Sequence, residues 1–298
     1  MSGDLEAFLA APVRRVEIGT TLAYRKFGQG PAVVLVHGWP LNGATYRGLV
    51  RVLSPHMTCY VPDLPGSGES PWDPRTREVF ADWGALLVRF VDALRLDDVA
   101  LIGHDSGGAI ARVAAAALGE RVRLLGLIAT EVTNYVPPLV RFYQALTRLP
   151  GAVHLMNALM KQRWYRRSRL GFGDCFANVD HIDGEFHRAC VEPNLREPKG
   201  AALTLAHVDL SLSMRLAQLH ARIQAPVVTV WGDQDVFFPI ARARAMQREF
   251  PRPLALHVLP GQKLLVHDER PDLVGQVLIP HLQRVNETAA LISARGEA

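Results

Sequence analysis

Every position from residue 32 to 36 is apolar, Ala-Val-Val-Leu-Val, and the run is bounded by Pro31 and by His37-Gly38. An unbroken run of this length predicts a strand buried on both faces of a parallel sheet. Similar runs follow at Val99–Ile102, Leu124–Ile128 and Val227–Trp231, and further strands are expected at Met57–Val61 and Leu254–Leu259. Ahead of them, Val13–Gly19 and Thr21–Phe27 read as a hairpin with Gly19 at the turn. Between strands the spacing becomes helical, at Tyr46–Leu53, Val79–Leu94 and from Ala109 onward. Such alternation predicts an α/β fold, a mainly parallel sheet of about eight strands with helices on both faces. In sheets of that kind, chemistry sits beyond the carboxyl ends of the strands.

The alternation breaks at residues 132–216. There only helical stretches occur, separated by Pro137-Pro138, Pro150-Gly151, Gly171–Gly173 and Pro193–Pro198. The pattern predicts a core of residues 1–131 and 217–298 with a helical cap at 132–216, inserted just past a strand's carboxyl end and so placed over the site. Phe142, Tyr143, Trp164, Tyr165, Phe172 and Phe176 give the cap aromatic content, which suits an apolar small-molecule substrate. Tyr135 adds a third tyrosine hydroxyl at the start of the block.

Composition narrows the class. A chain of 298 residues that is 49% hydrophobic has ample material for a sizeable core. Charge interrupts every apolar stretch before membrane-spanning length, so no membrane partner is expected. The net charge of +4 comes from scattered residues and gives no reason to expect nucleic acid. Met1-Ser2-Gly3-Asp4-Leu5-Glu6 lacks the basic-then-apolar order of a signal peptide. Cys59, Cys175 and Cys190 are odd in number and show no metal-ligand spacing, so a reducing cytoplasm without metal or cofactor is the expected setting. A homodimer stays open.

The sharpest chemical signal is Gly103-His104-Asp105-Ser106-Gly107-Gly108, between an apolar strand and a helical pattern. A strand that turns abruptly into a helix to expose one polar side chain is a nucleophile elbow. So tight a turn demands small residues two before and two after its apex. With Ser106 at the apex those positions are His104 and Gly108, and His104 is too bulky; with Asp105 they are Gly103 and Gly107. The register therefore selects Asp105. A carboxylate nucleophile attacks saturated carbon and forms an alkyl ester. His37 is expected to brace its loop by hydrogen bonding, and His104, next to the apex on a strand, to point away from it.

These segments resemble the α/β-hydrolase fold superfamily, within it the epoxide hydrolase and haloalkane dehalogenase branch. His37-Gly38-Trp39-Pro40 is similar to the oxyanion motif of epoxide hydrolases, Pro62–Ser70 to the superfamily's loop after the fourth strand, and the elbow to the form in which Asp attacks. The resemblance implies an enzyme with an oxyanion hole from the backbone N–H groups of Trp39 and Ser106, where charge on the ester oxygen is stabilised. It implies Asp235, in Gly232-Asp233-Gln234-Asp235, as the acid that orients a histidine, with Asp233 a loop residue. It also implies that Tyr135, Tyr143 or Tyr165 protonates an opening epoxide and that Trp164 belongs to the pocket. The dehalogenase reading is weakened because Ser106 stands where a halide-binding tryptophan commonly follows the nucleophile.

One position departs from the family's pattern. Counting back seven residues from Pro271 puts Leu264 where the catalytic histidine belongs, with Lys263 beside it and His267 three residues on. Three expectations follow. His267 swings in as the base and the chain is an epoxide hydrolase-like enzyme; or Asp105 works with Lys263 in an isomerisation, elimination or ring closure; or catalysis is lost and the pocket binds a small molecule. On either catalytic expectation, Lys263 or His267 is the titratable group nearest Asp105 and Asp235.

Overall fold

The computed structural model describes residues 3–296, with side chains through residue 287. The hydrophobic runs form the strands expected of them: β1 (Arg14–Glu17), β2 (Thr21–Phe27), β3 (Ala32–Val36), β4 (Thr58–Pro62), β5 (Val99–His104), β6 (Val122–Ile128), β7 (Val227–Gly232) and β8 (Pro253–Leu259). They make one sheet in the order β1-β2-β4-β3-β5-β6-β7-β8. β2 runs against both its neighbours, and every other pairing from β4 to β8 is parallel. Every residue of β5, β6 and β7 is buried, as strands covered by helices on both faces require.

The register brings the chemistry to one edge. Val36 pairs with Gly103 and His104 with Ile128. The segments that follow β3, β5, β6 and β7 therefore all emerge at the same carboxyl-end rim, and they carry Trp39, Asp105, Glu131 and Asp235. β4 begins one residue later than its pattern indicates, because its ladder with β3 opens at Thr58 opposite Ala32. Two helices have no counterpart in the periodicity reading. Asp4–Ala10 buries Leu5 and Phe8, and Phe8 stacks on Phe27 with ring centroids 5.2 Å apart. A helix from Pro271 to Gly296 opens with proline at its first position, where the missing N–H costs nothing.

Between β6 and β7 the described residues contain helices and no strand, including Pro138–Leu146, Ala152–Met160, Pro198–Ala206 and Leu212–His220. The two ends of this block are held differently. Its later residues bond to the sheet-bearing part: Asn42 Nδ2 donates to the Ala189 carbonyl at 2.8 Å, Trp39 Nε1 to that of Ala201 at 2.7 Å, and Leu265 N to that of Cys175 at 2.9 Å. Arg47 forks onto Asp268 at 2.7 and 2.9 Å and reaches Glu185 at 3.1 Å, while His181 Nε2 lies 2.8 Å from Asp268. Among the described residues, none from 138 to 172 hydrogen-bonds outside the block.

Candidate active site

Asp105 sits at the apex between β5 and the helix Ser106–Leu118 with φ 49° and ψ −135°. A non-glycine residue in that region stores about 1–3 kcal/mol of strain, which persists only where the surroundings enforce it. Here they do. A Cβ on Gly103 would come within 2.6 Å of the Gly108 Cα, and one on Gly107 would overlap the carbonyl oxygens of Val36 and His37. Both positions exclude any side chain, which is why the apex is Asp105 and not Ser106.

The Trp39 N–H donates to Asp105 Oδ2 at 3.1 Å and to Ser106 Oγ at 2.8 Å, and the Ser106 N–H also acts on the Asp105 carboxyl. Both expected donors, the N–H groups of Trp39 and Ser106, thus reach the Asp105 carboxyl. His37 braces the loop: its Nε2 accepts from Leu64 N at 2.9 Å, and Nδ1 faces the Gly38 carbonyl at 3.1 Å. Asp233 is a loop residue, accepting from Gly261 N at 2.7 Å.

A cavity of about 220 Å³ opens above Asp105. Its wall is mostly apolar and comes from both the strand ends and the helical block; Tyr135, Tyr143 and Tyr165 belong to it, as do Leu264 and Cys175. Tyr143 donates its hydroxyl proton to the Leu170 carbonyl, and the Tyr165 hydroxyl lies 3.3 Å away. Trp164 does not reach the cavity, because its ring is turned outward and 66% exposed. Phe176 packs in the core rather than the cavity wall.

The other expected catalytic groups are not brought together. Leu264 lines the cavity, which turns its neighbour Lys263 away: Nζ donates to the Gly173 carbonyl at 3.4 Å and stands 3.8 Å from Asp174. His267 lies in the short helix Val266–Glu269, fully buried, its Nε2 2.9 Å from Thr45 Oγ1 and its ring 5.0 Å from that of Tyr46. Burial lowers its pKa to about 4. Neither residue completes a triad with Asp235. Nor does His104, although it borders the cavity. Its Nε2–H donates to the Leu264 carbonyl at 3.1 Å, its Nδ1 is buried without a partner, and its ring stacks on His267 at 4.1 Å.

Asp235 is held by the backbone on one side only. Its Oδ1 accepts from the N–H groups of Phe237 and Phe238 at 2.8 and 3.0 Å, while Oδ2 is buried with no partner. Burial pushes its pKa up to about 7. Two groups beside Asp105, Glu131 and Thr130, were not expected from the sequence. Glu131, three residues past β6, lines the cavity and raises the pKa of Asp105 by charge repulsion, second only to burial. Thr130 Oγ1 sits 2.8 Å from both the Asp105 carbonyl oxygen and Glu131 Oε2, and the buried Arg112 donates to Thr130 and to the Glu131 carbonyl at 2.8 Å. Cys175 feels both Asp105 and Asp235, which with burial push its thiol well above the ordinary range. Glu131 had a legible signal, since it leaves the sheet at the same rim as Asp105 and Asp235.

An eight-stranded sheet of this order, with a sharp strand-to-helix turn at its rim that presents Asp105, is the architecture of the α/β-hydrolase fold. Residues 31–152 match the family model for the α/β hydrolase fold. The chain is 25% identical over 258 residues to haloalkane dehalogenase 2 of Mycobacterium tuberculosis, covering 85% of this chain and 88% of that protein. It is 27% identical over 228 residues to a pimeloyl-[acyl-carrier protein] methyl ester esterase of Chromobacterium violaceum, covering 75% and 84%. Among solved structures it is similar to the epoxide hydrolase CorEH, with a TM-score of 0.78 at 20% identity over 92% of this chain and 99% of that one. The chain thus has the α/β-hydrolase fold and is similar to a dehalogenase, an esterase and an epoxide hydrolase.

Proposed function

We propose that the protein opens an apolar epoxide by attack of Asp105, under a lid formed by residues 132–216, and that the resulting ester is long-lived because position 264 is leucine. The observation that carries this reading is the Asp105 carboxylate, held at a strained apex by the Trp39 N–H in a cavity whose other polar groups include the Tyr143–Tyr165 pair. With Oδ2 in the oxyanion hole, Oδ1 is free to form a bond to the epoxide carbon. The ring C–O bond breaks and its electron pair takes a proton from a tyrosine. Tyr143 has committed its proton to the Leu170 carbonyl, which leaves Tyr165 and Tyr135 as the cavity hydroxyls that can supply it. An epoxide is favoured over a haloalkane because the indole N–H of Trp39, a natural halide donor, is already given to Ala201.

Hydrolysis of the ester needs a base within about 2.6–3.2 Å of the attacking water, directly or through a second water. No histidine among the described residues offers an accessible ring nitrogen there. The test is intact-mass spectrometry after incubation with aryl and alkyl epoxides. A persistent adduct of the epoxide's mass on wild type, absent from Asp105→Asn and cleared with diol release by Leu264→His, is the expected result. Diol formation by wild type with no adduct, or an adduct on Asp105→Asn, would overturn it. A second reading has Asp105 acting as a proton donor in a rearrangement, and burial, with repulsion from Glu131 after it, favours that reading by raising the pKa of Asp105. Conversion of substrate without adduct and without oxygen uptake from labelled water would select that reading.

A further inference from the structure

Five of the nine most exposed large apolar side chains among the described residues fall between residues 142 and 170: Phe142, Leu149, Leu155, Trp164 and Leu170. Three of them adjoin the Tyr143–Tyr165 pair of the cavity wall. Phe142 packs on Tyr143 with ring centroids 5.5 Å apart, Trp164 on Tyr165 at 5.7 Å, and Leu170 accepts the Tyr143 hydroxyl. Leu170 both lines the cavity and is 47% exposed, so the cavity wall and the exposed apolar surface share this residue.

The same stretch is basic. From Pro137 to Gly173 the chain has seven Arg and Lys residues and no Asp or Glu. Arg163, Arg166, Arg167 and Arg169 are matched by Asp174, Asp180 and Asp183. Arg141, Arg148 and Lys161 are exposed and have no ion pair among the described residues. Contiguous exposed apolar surface marks an interaction site. Aromatic and leucine side chains interleaved with unpaired cations have the chemistry of a surface that lies in a bilayer interface, the apolar groups entering the acyl boundary and the cations facing anionic headgroups. A second copy of the same face would set cation against cation, which disfavours self-association here.

We propose that the face carrying Phe142, Trp164 and Leu170 docks on an anionic phospholipid bilayer, so that an apolar substrate passes from lipid into the cavity. Docking of this kind is peripheral, and no helix among the described residues is long and apolar enough to cross a membrane. The inference does not depend on what reaction Asp105 performs, since its test contains no substrate.

The full chain is sedimented with vesicles of phosphatidylcholine, with and without about 30% phosphatidylglycerol. Wild type is expected to partition at least about tenfold more strongly onto the anionic vesicles, and less so at high salt. Brominated lipid should quench part of the tryptophan fluorescence, and Trp164→Ser should remove that part. Each exposed cation near the surface contributes roughly fivefold, so Arg141→Ala/Arg148→Ala/Lys161→Ala should weaken partitioning on the order of 100-fold with an unchanged melting temperature. Wild type left in the supernatant, equal partitioning onto both vesicles, or quenching unaffected by Trp164→Ser would each overturn the proposal. So would a dimer in sedimentation velocity that Trp164→Ser dissociates, which would assign the face to a second copy.

Discussion

At Asp105 two costs coincide: a backbone held at φ 49° and a carboxyl buried beside a second carboxyl. The second is relieved by an uncharged side chain, so Asp105→Asn should raise the melting temperature by a few degrees while abolishing adduct formation, measured by calorimetry and mass spectrometry. The attacking form is the carboxylate, and its pKa is raised, so the rate of adduct formation should climb with pH above the ordinary carboxylate range. Glu131→Gln removes the repelling charge; the rise should then shift to lower pH, and a shift to higher pH would contradict the assignment. Much at this scale was legible. The glycine spacing selected Asp105 over Ser106, and the count from Pro271 put Leu264 in the cavity wall. His267 and Lys263 were misplaced because linear distance from a proline says nothing of side-chain direction. With Leu264 pointing in, Lys263 points out, and three residues on His267 lies behind the sheet rim.

At the scale of elements, the apolar runs announced the strands to within a residue or two, since burial on both faces leaves no other composition. Helices were harder where their stability comes from distant partners. Asp4–Ala10 exists because Phe8 finds Phe27, which no local pattern reveals. The same limit hid the buried cluster of Arg47, Glu185, His181 and Asp268, drawn from three distant segments. Arg47 and His181 hold the Asp268 carboxyl far below its usual range despite burial. A depressed folded-state pKa contributes stability above the unfolded value near 4 and loses it as pH falls further, so this cluster should fail in acid below about pH 4. Asp268→Asn leaves the buried guanidinium under-paired and should cost about 3–5 kcal/mol in denaturant unfolding at neutral pH. Asp235 has the opposite sign: with its pKa raised to about 7, its ionisation destabilises the fold as pH rises from about 4 through 7.

For the molecule as a whole, alternation of strand and helix sufficed to predict the sheet, and its interruption the inserted block. The charge reading was less complete. A net +4 spread over the whole chain conceals a 137–173 stretch with seven cations and no acid, visible only when charge is counted by segment. The uneven fastening of the block has a mechanical consequence. Residues 173–207 are riveted to the sheet-bearing part through Asn42, Trp39, Leu265 and the Arg47–Asp268 pair, whereas 138–172 are tied only to the block itself. Such a plate does not lift off like a lid on four bolts. It is expected to open along one edge, like a clam on its hinge, with residues 138–172 as the moving lip. Amide exchange should follow that asymmetry, protons in Pro138–Leu146 and Ala152–Met160 being lost well before those in Pro198–Ala206. Uniform exchange across the block would mean that it opens as one rigid piece.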